Sequence, residues 1–248
     1  MRALCVVLVL GVTTAIGAEP EEDPWAKILA LRVNGSGEVA YQALAQEDGR
    51  LLRRVLDRMS AANVGGLDHD GAVAFWINAY HATVIAAVLH GESPETLAGR
   101  ARMYHWFREK VGGTRRTLDE IREILNGYAT TDPRIHLAIS NGTRGSPRLL
   151  ATPYVPDHLD AQLAGAARRF VNDIDHNYVD SIHQCLALSR LFNWYVADFE
   201  TAGGTLVRYL RPLAERRDLL AALERDDIEV RYLPFDWRLN AAPGERFH

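Results

Sequence analysis

The pattern of apolar and polar residues predicts a mainly helical protein. Residues 72–89 contain no charged side chain and are apolar nearly all round, as is typical of a helix buried in a protein core. Asn78, His81 and Thr83 fall in the middle of this short, alanine-rich run, which favours a core helix over a membrane span. Apolar residues at helical spacing predict further helices at residues 25–32, 44–59, 157–172, 203–214 and 217–224, and another that starts after Ser189.

Shorter segments predict strands. Residues 134–140 alternate between aliphatic and other side chains, which is the pattern of a strand with two unlike faces. Residues 182–188 and 228–232 predict two further strands by the same alternation. The expected fold class is therefore α+β, a predominantly helical single domain with a small, largely antiparallel sheet.

A hairpin followed by a helix is predicted near the middle of the chain. Gly112 and Gly113, within residues 107–116, supply the positive φ angles that a two-residue hairpin turn requires. Thr117 and Glu120 then form a capping-box pattern, which predicts a helix that begins there and continues for about nine residues.

The beginning of the chain predicts export. Arg2 supplies one positive charge, and residues 3–18 then run without a charged residue through an apolar stretch to small residues ending at Ala18. This is the profile of a cleavable signal peptide, and the run is short for a membrane span, which needs about 20 residues. We expect a signal peptide at residues 1–18, a single globular domain at residues 19–248, a periplasmic or secreted location, and no stable membrane span after cleavage.

Charge and cysteine content exclude some classes of function. Without residues 1–18 the chain has 27 basic and 32 acidic side chains, a net charge of −5, and its arginines form no long basic block. We therefore expect no nucleic-acid partner. Cys185 is then the single thiol, so no internal disulfide is expected. Residues 173–185 contain Asp, His and Cys without a standard zinc spacing, and we expect neither a metal nor a cofactor.

Six short motifs occur in order along the chain. They are Phe75–Tyr80 (FWINAY), Thr117–Ile121 (TLDEI), Asp132–Ala138 (DPRIHLA), Ser146–Pro147, Leu188–Tyr195 (LSRLFNWY) with Asp198–Phe199, and Leu233–Asn240 (LPFDWRLN). Together they resemble the family known as domain of unknown function 547, which is found in many exported bacterial proteins and in plants. The resemblance implies a family core at about residues 65–200 with a C-terminal extension to residue 240.

The resemblance also implies chemistry that this chain has altered. Family members typically carry two cysteines in a pattern like Cys-x-Ser-x-x-Cys-Pro, which has invited comparison with thiol hydrolases. Here those two positions hold Asn141 and Ser146. Members also tend to have a Glu-His pair early in the helix after the hairpin, where this chain has Arg122 and Glu123. Both changes fall on groups suited to nucleophilic or acid–base chemistry.

A hydrolase or acyl transferase is one interpretation of these residues. Ser146 would be the nucleophile, His136 its base, and Glu123 or Asp119 the acidic third member. A thiol is partly ionised near neutral pH and a serine hydroxyl is not, so a site built for a thiolate rarely survives this replacement. The competing interpretation is that Ser146 is a turn residue before a proline.

The leading hypothesis is a noncatalytic or degenerate family member that binds a peptide or small ligand in the cell envelope. On the predicted strand His136 shares a face with Arg134, so the two either line a pocket or lie at the edge of the core. Asn78 and His81 lie three residues apart on one helix face, and either bond an adjoining loop or edge a pocket. With Asn141, these four residues form the predicted binding set. A purely structural envelope protein that acts through a partner is the third hypothesis.

Overall fold

The computed structural model describes residues 23–225 and 227–245; the predicted signal peptide at residues 1–18 lies outside them. The α-helices are α1 (Pro24–Arg32), α2 (Tyr41–Ala43), α3 (Gly49–Ala61), α4 (His69–Leu89), α5 (Leu97–Arg100), α6 (Leu118–Ala129), α7 (Leu159–Asn172), α8 (Arg190–Trp194), α9 (Val196–Gly203), α10 (Leu206–Leu210) and α11 (Arg217–Leu223). Leu44–Asp48 and Ala101–Trp106 are π-helical turns, and Val64–Gly66, Pro133–Leu137, Pro156–His158 and Arg211–Leu213 are 3₁₀-helices. The strands are β1 (Glu109–Val111), β2 (Thr114–Arg116), β3 (Tyr178–Asp180), β4 (Cys185–Leu188) and β5 (Glu229–Tyr232).

Helix α4 lies at the centre of the larger of two hydrophobic clusters. Its first turn is capped because the Asp68 side chain accepts a hydrogen bond from the Gly71 backbone N–H at 2.8 Å. The helix is long and apolar enough to cross a membrane, but 83% of its most apolar stretch is buried inside the molecule, with α3 and α6 packed against it. The predicted central core helix is therefore confirmed, although it begins three residues before residue 72.

Two small sheets accompany the helices. β1 and β2 form an antiparallel hairpin, while the second sheet has the order β3-β4-β5, with β3 and β4 antiparallel and β4 and β5 parallel. Around β4, which is buried throughout, residues of helices α7 to α11 form the second hydrophobic cluster. The fold is α+β and predominantly helical with largely antiparallel sheets, as the sequence predicts.

The predicted hairpin and capping box are confirmed. Gly112 and Gly113 have φ angles of 56° and 80°, and they form the turn between β1 and β2. Thr117 caps α6 through a reciprocal pair of bonds with Glu120. The Thr117 hydroxyl accepts from the Glu120 backbone N–H at 3.1 Å, and the Thr117 backbone N–H donates to the Glu120 carboxylate at 2.8 Å. This helix runs three residues beyond the predicted end and, as shown below, carries part of the candidate site.

The predicted strand at residues 134–140 is wrong. Pro133–Leu137 is a 3₁₀-helix that begins where the Asp132 side chain accepts a hydrogen bond from the Arg134 backbone N–H at 3.1 Å. A proline at the first helical position favours such a turn. His136 is buried together with the aliphatic residues of this segment, so the alternation of residue types does not separate core from solvent.

The predicted helix at residues 203–214 is interrupted. Gly203 ends α9, and Gly204 follows in a left-handed conformation with a φ of 80°. Thr205 then caps the separate helix α10, because its hydroxyl accepts a bond from the Arg208 backbone N–H at 3.2 Å. The two glycines therefore end one helix, whereas the apolar spacing alone suggests that the helix begins there.

Candidate functional site

A cleft of about 400 Å³ opens where α4, α5, α6 and α8 approach the C-terminal segment. We call it the aromatic cleft, and it is lined by Tyr80, Leu97, Arg100, Ala101, Tyr104, His105, Asp119, Arg122, Asn141, Trp194, Tyr195 and Trp237. Five of the lining residues are tyrosines or tryptophans, and two are arginines. Arg122 and Asn141, two of the four positions at which the sequence departs from the pattern it resembles, both line this cleft.

Arg122 is held against two tyrosines. Its Nη2 donates to the Tyr80 hydroxyl at 2.6 Å, its Nη1 donates to the Tyr195 hydroxyl at 3.2 Å, and its Cζ lies 4.8 Å from the centre of the Tyr80 ring. Burial raises the pKa of Tyr80, so this phenol is uncharged at neutral pH. Among the described residues no carboxylate forms an ion pair with Arg122, and its positive charge is therefore uncompensated.

Arg100 and the C-terminal segment form the outer wall. The Arg100 guanidinium lies 4.5 Å from the centre of the Trp237 ring and donates to the Pro94 carbonyl at 3.2 Å. Trp237 packs with Phe235 and Trp194, at ring-centre distances of 4.6 and 6.0 Å. Trp194 is 44% exposed, so this wall presents aromatic surface to solvent at the mouth of the cleft.

Asn141 edges the cleft with an unused donor. Its side-chain oxygen accepts bonds from the Thr143 backbone N–H at 3.1 Å and from the Thr143 hydroxyl at 2.6 Å, which fixes the orientation of the amide. The Tyr104 hydroxyl donates to the Asn141 backbone carbonyl at 3.0 Å. Within the described part of the chain, the Asn141 NH₂ group has no hydrogen-bond partner.

His136 lies behind the aromatic cleft. Its ring stacks on the Tyr195 ring, with the centres 3.7 Å apart, and its Nε2 donates to Asp198 at 2.7 Å. The side chain is fully buried, and Nδ1 has no partner among the described residues. Burial, together with the positive charge of Arg122, lowers the pKa of His136 although Asp198 acts to raise it, so the ring is neutral at neutral pH. His136 thus positions Tyr195, which does line the cleft.

Ser146 lines a second cleft, of about 450 Å³, which also contains His176. We call it the serine cleft. The Ser146 hydroxyl donates to the Thr143 carbonyl at 2.8 Å and accepts from the Asn141 backbone N–H at 3.3 Å. The His176 Nε2 donates to the Arg144 carbonyl at 2.8 Å. No histidine is bonded to Ser146 in the described structure, so its hydroxyl stabilises the loop in which it lies.

Two other predicted site residues lie outside both clefts. Glu123 is exposed and accepts a bond from the Asn126 side chain at 3.4 Å. Arg134 pairs with Asp132 and Asp160 at 2.8 Å each. Neither residue contacts His136 through a described hydrogen bond, and the structure does not assemble the Ser146, His136 and Glu123 triad.

Asn78 and His81 bond adjoining segments to α4. The Asn78 side chain donates to the Tyr154 carbonyl at 2.7 Å and accepts from the Tyr154 backbone N–H at 3.0 Å and from the Trp25 indole at 3.2 Å. His81 Nε2 accepts from the Ser140 backbone N–H at 3.0 Å. Burial lowers the pKa of His81 to about 3, so the ring is neutral and can accept this bond. A binding role for the pair stays a prediction.

The sequence interpretation missed a signal for Arg122. In α6 the buried residues Leu118, Ile121 and Leu125 follow helical spacing, and Arg122 falls within the same stripe. A cation on the core face of a helix needs a partner or a pocket. His105 and Asp119 are hydrogen-bonded to each other at the exposed rim of the cleft.

The described residues, 23–225 and 227–245, contain no group of three or more His, Cys, Asp or Glu side chains that could hold a metal ion. In comparisons with known proteins, the family model "Protein of unknown function, DUF547" matches residues 64–171. No curated protein and no solved structure matches the chain. The matched region includes Tyr80, Arg122, His136 and Asn141.

Proposed function

We propose that the protein is a noncatalytic member of the DUF547 family, whose model matches residues 64–171, and that it binds a small ligand or peptide in the aromatic cleft. The observation that carries this proposal is the composition of the cleft. Its lining contains no Ser, Thr, Cys or Lys side chain within the described structure, while Arg122 and Asn141 line it and have N–H donors without a described partner. Such a cleft, apolar with a few fixed polar groups, is typical of ligand-binding sites.

The residues that enzyme catalysis would need are engaged elsewhere. Ser146 donates to the Thr143 carbonyl and His136 donates to Asp198, so neither activates the other. A general base must reach the proton that it removes, at about 2.6–3.2 Å. This distribution of contacts supports binding over hydrolysis or acyl transfer.

We also propose that the protein acts in the periplasm or outside the cell, after removal of residues 1–18. The proposal depends on the uncharged apolar run that follows Arg2. N-terminal sequencing of the protein recovered from the periplasm or medium tests it: a mature start near residue 19 supports export, whereas an intact N-terminus in the cytoplasmic fraction contradicts it.

Covalent labelling discriminates the binding protein from the competing hydrolase or acyl transferase. The folded protein is treated with a fluorophosphonate probe, which reacts with activated serines, and the labelled residue is located by mass spectrometry. We expect no labelling at Ser146, because its hydroxyl has no base beside it. A Ser146→Ala variant is the matched control, and labelling of the wild type that this variant abolishes would contradict the proposed function.

A further inference from the structure

We propose that the aromatic cleft selects ligands that carry a carboxylate on an apolar body, and that Arg122 binds the carboxylate. This inference rests on the proposed function, since it names the ligand class of the same cleft. It is carried by the uncompensated charge of Arg122, by the unused donors that share the cleft with it, and by the apolar walls around it.

The charge of Arg122 is not balanced by a described carboxylate, as the charges of Arg134 and Arg148 are. Arg134 pairs with two aspartates at 2.8 Å each, and Arg148 pairs with Asp173 at 2.7 Å. Arg122 bonds two phenol hydroxyls instead, and these carry no charge to balance its own. A partly buried cation without a counter-ion is costly, and an anionic ligand would remove that cost.

The donors that share the cleft match a carboxylate. A guanidinium is planar, has five N–H donors, and binds carboxylates through two parallel bonds. Two of these donors on Arg122 bond the tyrosines, and the others have no described partner. The Asn141 NH₂ group and the Arg100 guanidinium line the same cleft, and no described carboxylate pairs with Arg100.

The cleft contains one carboxylate of its own, that of Asp119. It is hydrogen-bonded to His105 Nδ1, and both side chains are exposed, Asp119 at 44% and His105 at 62%. Asp119 is therefore at the solvent-facing rim, where water screens its charge, and among the described residues it forms no ion pair with Arg122.

The walls favour an apolar ligand body. Trp194, Trp237 and Tyr104 line the cleft, and Leu97 at its mouth is 77% exposed. Exposed apolar side chains beside a concave surface are typical of binding sites. An aromatic or aliphatic group next to the carboxylate would cover these surfaces while the carboxylate reaches Arg122.

Four probes test the inference by isothermal titration calorimetry at one fixed ionic strength. 3-Phenylpropionate and the tripeptide Ala-Ala-Phe with a free C-terminus carry the carboxylate, while 3-phenylpropanamide and Ala-Ala-Phe-amide are their neutral counterparts. 3-Phenylpropionate and its amide represent a free organic acid, and the two tripeptides represent a peptide C-terminus. Comparison of the two acid–amide pairs therefore distinguishes these two sources of a carboxylate.

We expect the carboxylate probes to bind at least about 10-fold more tightly than the matched amides. Arg122→Gln is expected to abolish this preference. Because that variant leaves two phenols without their partner, Asn141→Asp provides a second test: it keeps the acceptor for Thr143 but replaces the NH₂ donor with a negative charge. It is expected to lose carboxylate binding while remaining folded. Arg102→Gln, which removes an exposed arginine paired with Glu92, is the matched control and is expected to bind as the wild type does.

The outcomes separate this inference from the proposed function. If acids and amides bind equally, or if both cleft variants keep the preference for acids, the role of Arg122 is refuted and the cleft remains a binding site. If none of the four probes binds the wild type, both proposals are refuted. If the preference is present in the wild type and in Arg102→Gln but lost in both cleft variants, the inference is supported.

Discussion

Buried polar side chains of the same residue type have different structural roles in this protein, and the residue type alone does not identify them. His136 and His81 are both buried, yet one stacks behind the aromatic cleft and the other accepts a bond from the Ser140 backbone. Arg122 combines a positive charge with two phenol partners, which is the basis for the proposed preference of its cleft for anionic ligands. Asn141 adds an amide NH₂ group that has no hydrogen-bond partner among the described residues.

The neutral state of His81 predicts a pH dependence of stability. Its pKa is about 3 in the folded protein against 6.5 ordinarily, so between these values the unfolded chain binds a proton that the folded chain does not. Stability is therefore fully present above pH 6.5 and falls as the pH is lowered, by at most about 1.4 kcal/mol per pH unit for this group. His136, whose pKa is also lowered, adds an effect of the same sign.

Urea unfolding at several pH values between 6.5 and about 5 measures this dependence, in a range where most carboxylates remain ionised. His81→Gln places a non-titrating acceptor opposite the Ser140 N–H, and its free energy of unfolding should vary less steeply with pH than that of the wild type. Equal slopes in the two proteins would show that His81 is not held neutral.

At the level of elements, the sequence predicts where helix α6 begins but does not predict which of its residues line the cleft. The capping box of Thr117 and Glu120 is a local pattern, and it is confirmed. The partners of Arg122 are 42 and 73 residues away along the chain, so no local pattern could identify them.

Removal of the α6 cap should lower the stability of the fold and of the helix that carries Arg122. Thr117→Ala deletes the hydroxyl that accepts the Glu120 backbone N–H, and we expect the free energy of unfolding to fall by about 1 kcal/mol. Thr201→Ala is the control: this exposed hydroxyl bonds back to the Ala197 carbonyl within α9, and its removal should change stability by less than about 0.5 kcal/mol. Equal losses in the two variants, measured by urea unfolding, would refute a specific role for the cap.

The predicted strand at residues 134–140 shows where local patterns mislead. Alternation distinguishes two faces only when one of them meets solvent. Here the segment is enclosed, and Pro133 with Asp132 starts a 3₁₀-helix instead. The same error pairs His136 with Arg134 on a common face, whereas His136 contacts Tyr195 and Arg134 contacts two aspartates.

Across the whole molecule, the C-terminal segment joins distant parts of the chain around both clefts. The Gly145 backbone N–H donates to the Asp236 carbonyl at 2.9 Å, and the Asn240 N–H donates to the Gly142 carbonyl at 3.0 Å. Asn240 also accepts the Tyr41 hydroxyl at 2.8 Å. The loop that follows His136 is therefore fixed by residues about 100 positions later, which is why sequence spacing could not predict the position of Ser146.

A crystal structure of the protein with 3-phenylpropionate tests most directly whether the aromatic cleft is the ligand site. We predict the carboxylate within hydrogen-bond distance of the Arg122 guanidinium and the phenyl ring against Trp194 or Trp237. Binding of the probe in the serine cleft beside Ser146, with the aromatic cleft empty, would contradict it.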